Sequence, residues 1–198
     1  MINLSFPKSV EANLLKNLDI LKLKAVDGSI NPILSHFVVN VADSSAVSNT
    51  ASLTNFSVNK TISRSIFVIG KMIKLCASGI YSTTGTPTLT FNVRFGTTNL
   101  VSFAAKTGIN NASNQSWMIE AWIITRTTGS SGTVQCHGRL SINTASGTDT
   151  VETVNTASAV TVDTTVNNIL QVSLTWSAAS TSNTATLKNF IVELSSIG

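Results

Sequence analysis

From residue 59 onward, apolar and polar positions alternate in one run after another, the period-2 signature of half-buried β-strands. In Ile73–Tyr81 one face carries Ile73, Leu75, Ala77, Gly79 and Tyr81, and the other Lys74, Cys76 and Ser78. In Thr88–Phe95 the inward set is Leu89, Phe91, Val93 and Phe95, against Thr88, Thr90, Asn92 and Arg94. Ile62–Ile69, Thr98–Phe103, Trp117–Arg126, Thr133–Ile142, Val151–Val162, Asn168–Ser177 and Thr186–Leu194 read as further strands, separated by turn signals such as TTGTP, TTGSSG and TASGTD. About eight or nine strands at this spacing predict an all-β fold, a two-sheet antiparallel β-sandwich, and eight is the jelly-roll number. No helical period and no strong internal repeat interrupts the pattern.

The first third reads differently. Val10, Leu14 and Leu18 recur at i, i+4 and i+8, with Leu15 widening the stripe and Ser9 as N-cap, so 9–19 is expected to be one short amphipathic helix. ILKLK (20–24) alternates; Asp27-Gly28 and Asn31-Pro32 punctuate a turn; Leu34 to Val41 is a second apolar run. The low-charge stretch ADSSAVSNTASLTN then reads as a loop or linker. The expected division is an N-terminal docking arm, 1–58, and a sandwich domain, 59–198.

Composition narrows the function classes. Only 11% of the residues are charged, against 42% hydrophobic, so the polar surface is built from hydroxyls and amides rather than charges. The net charge of +4 is thinly scattered, without the dense basic stripe that nucleic acid requires, so no nucleic-acid partner is expected. No apolar run approaches the roughly 18 residues of a membrane span. Pro7 and Glu11 interrupt the stretch where a signal peptide would need apolar residues, so the chain is expected to be made in the cytoplasm of its host cell.

Candidate chemistry is sparse. His137 falls on the outward face of its strand beside Gln135 and Arg139, and neither it nor His36 comes with a nucleophile motif, so no catalytic residue is expected. Cys136 and His137 are adjacent and point to opposite faces, which is wrong for a metal site. The acids Glu120, Asp149, Glu152, Asp163 and Glu193 include no pair that the sequence forces to flank a sugar. Cys76 lies on a polar face and Cys136 on an apolar one, so both are expected to be free thiols. Phosphate loops and calcium loops are missing, and no cofactor or metal is expected.

Three segments carry a resemblance: KMIKLCASGIYSTTGTPTLTFNVRFGTTNLVS, SWMIEAWIITRTTGSSGTVQCHGRL and ASAVTVDTTVNNILQVSLTWSAASTSNTATLKNFIVEL. Together they resemble a recurrent β-domain of structural proteins of tailed bacteriophages, notably cyanophages and marine or freshwater phages. Its marks are the IKLCASGIYST opening strand, Trp117 with Glu120, the hairpin at 126–134, and the closing LTW stretch. The resemblance covers about residues 60–198 and implies a jelly-roll-like sandwich, commonly trimeric, in a phage particle.

Against that pattern, one strand stands out. Trp117, Ile119, Ala121, Ile123 and Thr125 should face the core, leaving Met118, Glu120, Trp122, Ile124 and Arg126 outside. The family tends to place polar residues at most of these outer positions, whereas three here are large and apolar. Such a patch marks an interaction surface, with Glu120 and Arg126 as its rim. A register-shifting bulge, or cover by the N-terminal arm, would remove that meaning. The expected function is a non-enzymatic virion structural protein: a homotrimeric capsid decoration (cement) protein on the outer capsid surface. Val10, Leu14, Leu18 and Lys16 would anchor it to the major capsid protein. The alternative is a tail-fibre, head-fibre or baseplate module that recognises host-surface glycans.

Overall fold

The computed structural model describes residues 35–144 and 149–194, which lie in one unit, Leu34–Ser195. The expected helix at 9–19 and the anchoring residues Val10, Leu14, Lys16 and Leu18 lie outside the described residues. Among the described residues thirteen strands follow one another: β1 (Ser35–Val39), β2 (Val47–Ser48), β3 (Thr54–Ile62), β4 (Met72–Ser82), β5 (Thr88–Phe95), β6 (Thr98–Ser102), β7 (Lys106–Thr107), β8 (Gln115–Thr127), β9 (Thr133–Asn143), β10 (Asp149–Asn155), β11 (Val160–Thr161), β12 (Asn168–Trp176) and β13 (Thr184–Leu194).

They form two antiparallel sheets. The larger runs β1-β13-β4-β8-β9-β10, with β2 also on β13 and β11 on β9; the smaller runs β3-β12-β5-β6, with β7 on β5. The alternation dictates which side of each strand is buried. Ile73, Leu75, Ala77 and Tyr81 of β4, Leu89, Phe91, Val93 and Phe95 of β5, and Val134, Cys136, Leu140 and Ile142 of β9 are all buried in one shared core. Trp117 of β8 sits at its centre, stacked on Phe56 (centroids 5.4 Å, 23°) and tilted against Phe91 (4.8 Å, 39°). Its indole N–H donates to the Ile80 carbonyl at 3.3 Å, so this large side chain is buried without an orphaned donor. Each such aromatic contact adds about 0.5–1.5 kcal/mol beyond area burial.

Three expectations are corrected. A boundary at residue 58 falls inside β3, and β1–β3 are paired members of the two sheets: β1 and β2 on β13, β3 on β12. The stretch read as a linker therefore contributes Val47 to the core, and Phe56, directly after it, is buried there too. The strand expected at Ile62–Ile69 ends at Ile62, because Ser63 caps a 3-10 turn, Arg64–Ile66, by accepting from the Ser65 N–H, and Asn167 Oδ1 accepts from the Arg64 N–H at 3.0 Å. Polar caps outcompete the apolar run here, leaving Val68 and Ile69 exposed. Last, Val151–Val162 is two strands on one partner, with Asn155 opposite His137 on β9 and Val160 opposite Val134.

Candidate functional site

β8 lies between β4 and β9 in the larger sheet, and its register fixes the neighbours of every outward residue. Met118 stands between Ser78 and Ser141, Glu120 between Cys76 and Arg139, Trp122 between Lys74 and His137, and Ile124 between Met72 and Gln135. The register shifts only between Thr125 and Thr127, past the patch, so the predicted parity holds from Trp117 to Thr125. The bulge carries Arg126, which is exposed.

Trp122 is half-buried and held from both sides. The His137 ring lies 5.2 Å away at 39°, and the Lys74 ammonium approaches to 5.9 Å from the indole centroid, within cation–π range. His137 Nδ1 sits 2.8 Å from Asn155 Oδ1, which calls for the tautomer protonated at Nδ1. Glu120 takes Arg139 at 3.9 Å and Lys74 at 3.8 Å, and Lys74 also meets Glu193 at 4.0 Å. Glu120 is thus paired with cations on both neighbouring strands.

This ion-pair row divides the apolar residues. Met118, 37% exposed, lies on one side of Glu120; Trp122 and Ile124 lie on the other, Ile124 opposite Met72. The face is an amphipathic band rather than one continuous apolar patch. Cys76 lies within it, its thiol pushed up first by burial and then by the Glu120 charge; Cys136, on the core side, is pushed up to about 12 by burial. Both cysteines are free.

Sequence reasoning singled out Met118, Glu120, Trp122, Ile124 and Arg126 but missed Lys74 and His137, which frame the Trp122 ring, and Asn155, which holds His137. Only the strand register could have found them, since each belongs to a different strand. Among the described residues no three His, Cys, Asp or Glu side chains gather to hold a metal ion.

No protein-family model matches the chain, and no curated protein matches its sequence. Among solved structures it is similar to the CBM2 module of the evolved Dit of Lactobacillus casei BL23 phage J-1, at 11% identity and a TM-score of 0.37, over 78% of this chain and 76% of that one. It is also similar to SO2946 of Shewanella oneidensis MR-1, a protein of unknown function, at 10% identity and a TM-score of 0.38, over 98% and 96% of the two chains. Likenesses this loose carry no inference about ligand or partner.

Proposed function

We propose that this chain is a non-enzymatic structural protein of a tailed-phage particle, a homotrimeric decoration (cement) protein that binds and stabilises the major capsid lattice from outside. The phage setting rests on the sequence resemblance. The observation that carries an assembly role is the outer face of β8, where Trp122, Ile124 and Met118 stand half-exposed among the ion pairs of Glu120, Lys74, Arg139 and Glu193. Aromatic and Met anchors within a charged rim are the anatomy of a protein interface.

The strand order supports the finer architecture. Numbered along the chain, β13 lies beside β4, β12 beside β5, β12 beside β3, and β13 beside β1 and β2. This nested pairing is what two successive Greek keys generate, so we read the sandwich as a jelly roll with the β9–β10 hairpin added to one sheet. Many modest contacts repeated over a lattice would make attachment effectively irreversible through multivalency.

The test is the number of copies of this chain per purified particle, measured against the major capsid protein by quantitative mass spectrometry. A count near a simple fraction of the capsid protein is expected. A few tens or fewer would replace this reading with a fibre or tail-tip module that recognises host glycans, and absence from the particle would end both.

A further inference from the structure

The apolar side chains that the fold leaves in water are concentrated in one place. Of the eight large apolar side chains most exposed among the described residues, four stand at one end of the sandwich. They are Val68 and Ile69, 49% and 60% exposed, and Val166 and Ile169, 48% and 43%. Register defines that end. Asn168 at the start of β12 lies opposite Ile62 at the end of β3, and Leu170 lies opposite Phe95 at the end of β5. Met72 at the start of β4 lies opposite Ile124 of β8, and β8 ends at Thr127 opposite Thr133. The loops 63–71 and 162–167 therefore close the same end.

Both loops are held in place. The Arg64 N–H donates to Asn167 Oδ1 at 3.0 Å, which joins one loop to the other. Phe67 is buried, its ring edge-on to Phe95 at 5.6 Å and 81°. The Gly70 N–H donates to the Thr125 carbonyl at 2.8 Å, and the Lys71 carbonyl accepts from the Thr125 N–H at 3.1 Å. Val68 and Ile69 thus stand between a buried ring and a backbone pair with β8, which keeps them outward. Asn168 Nδ2 donates to the carbonyls of Asp163 and Val166 at 2.8 and 3.1 Å, fixing the second loop beside them.

The charges at this end are one-sided. Arg64 and Arg126 are exposed and Lys71 is partly so, and none of the three makes an ion pair among the described residues. Asp163 is the one acid in the two loops, and its Oδ1 accepts from the Thr165 N–H at 2.9 Å and hydroxyl at 2.6 Å. Unpaired cations around exposed aliphatic side chains complement a surface that is anionic outside and apolar beneath.

We propose that this end of the sandwich binds the surface of an anionic lipid bilayer. Val68, Ile69, Val166 and Ile169 enter the boundary between head groups and acyl chains, while Arg64, Lys71 and Arg126 meet lipid phosphates. Such peripheral binding needs no spanning segment, since its strength comes from buried apolar area and charge together. A protein partner fits less well. Four aliphatic side chains offer less than the roughly 800 Å² that each side of a stable interface buries. They also come without an exposed Trp or Tyr, the residues that lead interface hot spots. The assembly reading uses other residues, so either proposal can fail without the other.

The experiment sediments the purified full-length chain with vesicles of phosphatidylcholine alone, and with vesicles containing about a third phosphatidylglycerol. Binding to the anionic vesicles is expected, about tenfold or more tighter than to the neutral ones and weakened by added salt. Ile69→Asp should weaken it about tenfold or more, and Arg64→Gln combined with Lys71→Gln about as much, with Tm unchanged because these side chains face water. Ile69→Trp should place an indole where brominated acyl chains quench it, which adsorption at the head groups alone would not do. The proposal is overturned if neither vesicle binds at millimolar lipid, or if both bind alike. Binding that survives Ile69→Asp, or an indole that stays unquenched, overturns it too. So does a lower molar mass of the Ile69→Asp variant in solution, because a second copy of the chain would then cover this end.

Discussion

The two sheets share one core but turn opposite kinds of surface outward. On the larger sheet the outward residues of β8 combine an indole, a thioether and a sec-butyl side chain with ion pairs that reach three strands. On the smaller sheet the outward rows across β3, β12, β5 and β6 (Asn55, Ser173, Asn92 and Ser102, then Asn59, Gln171, Arg94 and Asn99) hold amides, hydroxyls and a single guanidinium. Both faces arise from the same period-2 rule; only the residues at the outward positions of each strand differ. A strand pattern therefore fixes what is inside, while the outward chemistry of each sheet is free to specialise.

The largest effect should come from breaking what both faces stand on. A β-carbon at Gly79 of β4 would lie 2.0 Å from the Thr186 backbone oxygen and 2.7 Å from the Trp117 ring. Backbone cannot yield there without separating β13 from β4, so Gly79→Ala should destabilise the fold by about 4 kcal/mol or more, read as a lost or strongly shifted urea transition. Gly138 of β9 offers the contrast: its added carbon would meet the Val101 and Phe103 side chains at 2.6 and 3.0 Å. Side chains can repack, so Gly138→Ala should lose about 1–3 kcal/mol. Equal losses at the two glycines would show that the sheets adjust as rigid bodies.

The inward half of this architecture was legible in the sequence, because each long strand alternates over enough residues to fix its parity: Ile73 to Tyr81, Leu89 to Phe95, Trp117 to Thr125. What was not legible depended on partners distant in sequence. Phe56 lies in a polar stretch and looks like a loop residue until β12 pairs with it, and the run after Ile62 looks like strand until Ser63 and Asn167 cap it. Of the candidate site, the outward set Met118, Glu120, Trp122 and Ile124 followed from parity alone. That Glu120 meets Lys74 and Arg139, and that Ser173 faces Asn92, requires a register that no single strand encodes.

The larger sheet also differs between its own two sides, and the thiols report it. Cys136 is core-facing, with its pKa pushed to about 12 by burial, while Cys76 is partly exposed on the outer face. In native protein at pH 8, Cys76 should react with a thiol reagent at least about a hundredfold faster than Cys136, which waits for opening of the sandwich. The native state holds the Cys136 proton longer than the unfolded chain does. Stability from this group is therefore complete below pH 9 and declines as pH rises from about 9 toward 12, by about 1.4 kcal/mol per pH unit. Cys136→Ala should flatten that alkaline decline; a decline that persists belongs to other groups.

Trp122→Glu tests the outer face alone. The ring is half-buried beside Lys74 and His137, so the change should alter unfolding free energy by about 1 kcal/mol or less while dissociating the proposed trimer, measured by light scattering after size exclusion. An unchanged molar mass would remove this patch from the interface. Arg94→Gln, on the smaller sheet, should leave that mass unchanged.

The smallest effect is the most discriminating. Glu120 pairs with Lys74 and Arg139 at 3.8 and 3.9 Å and is 20% exposed, long pairs of a kind that contribute about 0–1 kcal/mol when water reaches them. Glu120→Gln in the dissociated chain should therefore change stability by about 0.5 kcal/mol or less. If subunits cover the face, the same substitution in the assembled state leaves Arg139 without its carboxylate or water and Lys74 with Glu193 alone, and the loss rises to about 3 kcal/mol. Measuring the variant above and below the dissociation concentration separates the cases: a concentration-dependent penalty means that a partner covers Glu120, and an equal, small penalty means that water does. The second result would leave the larger sheet without an assembly role, however apolar Trp122 and Ile124 are.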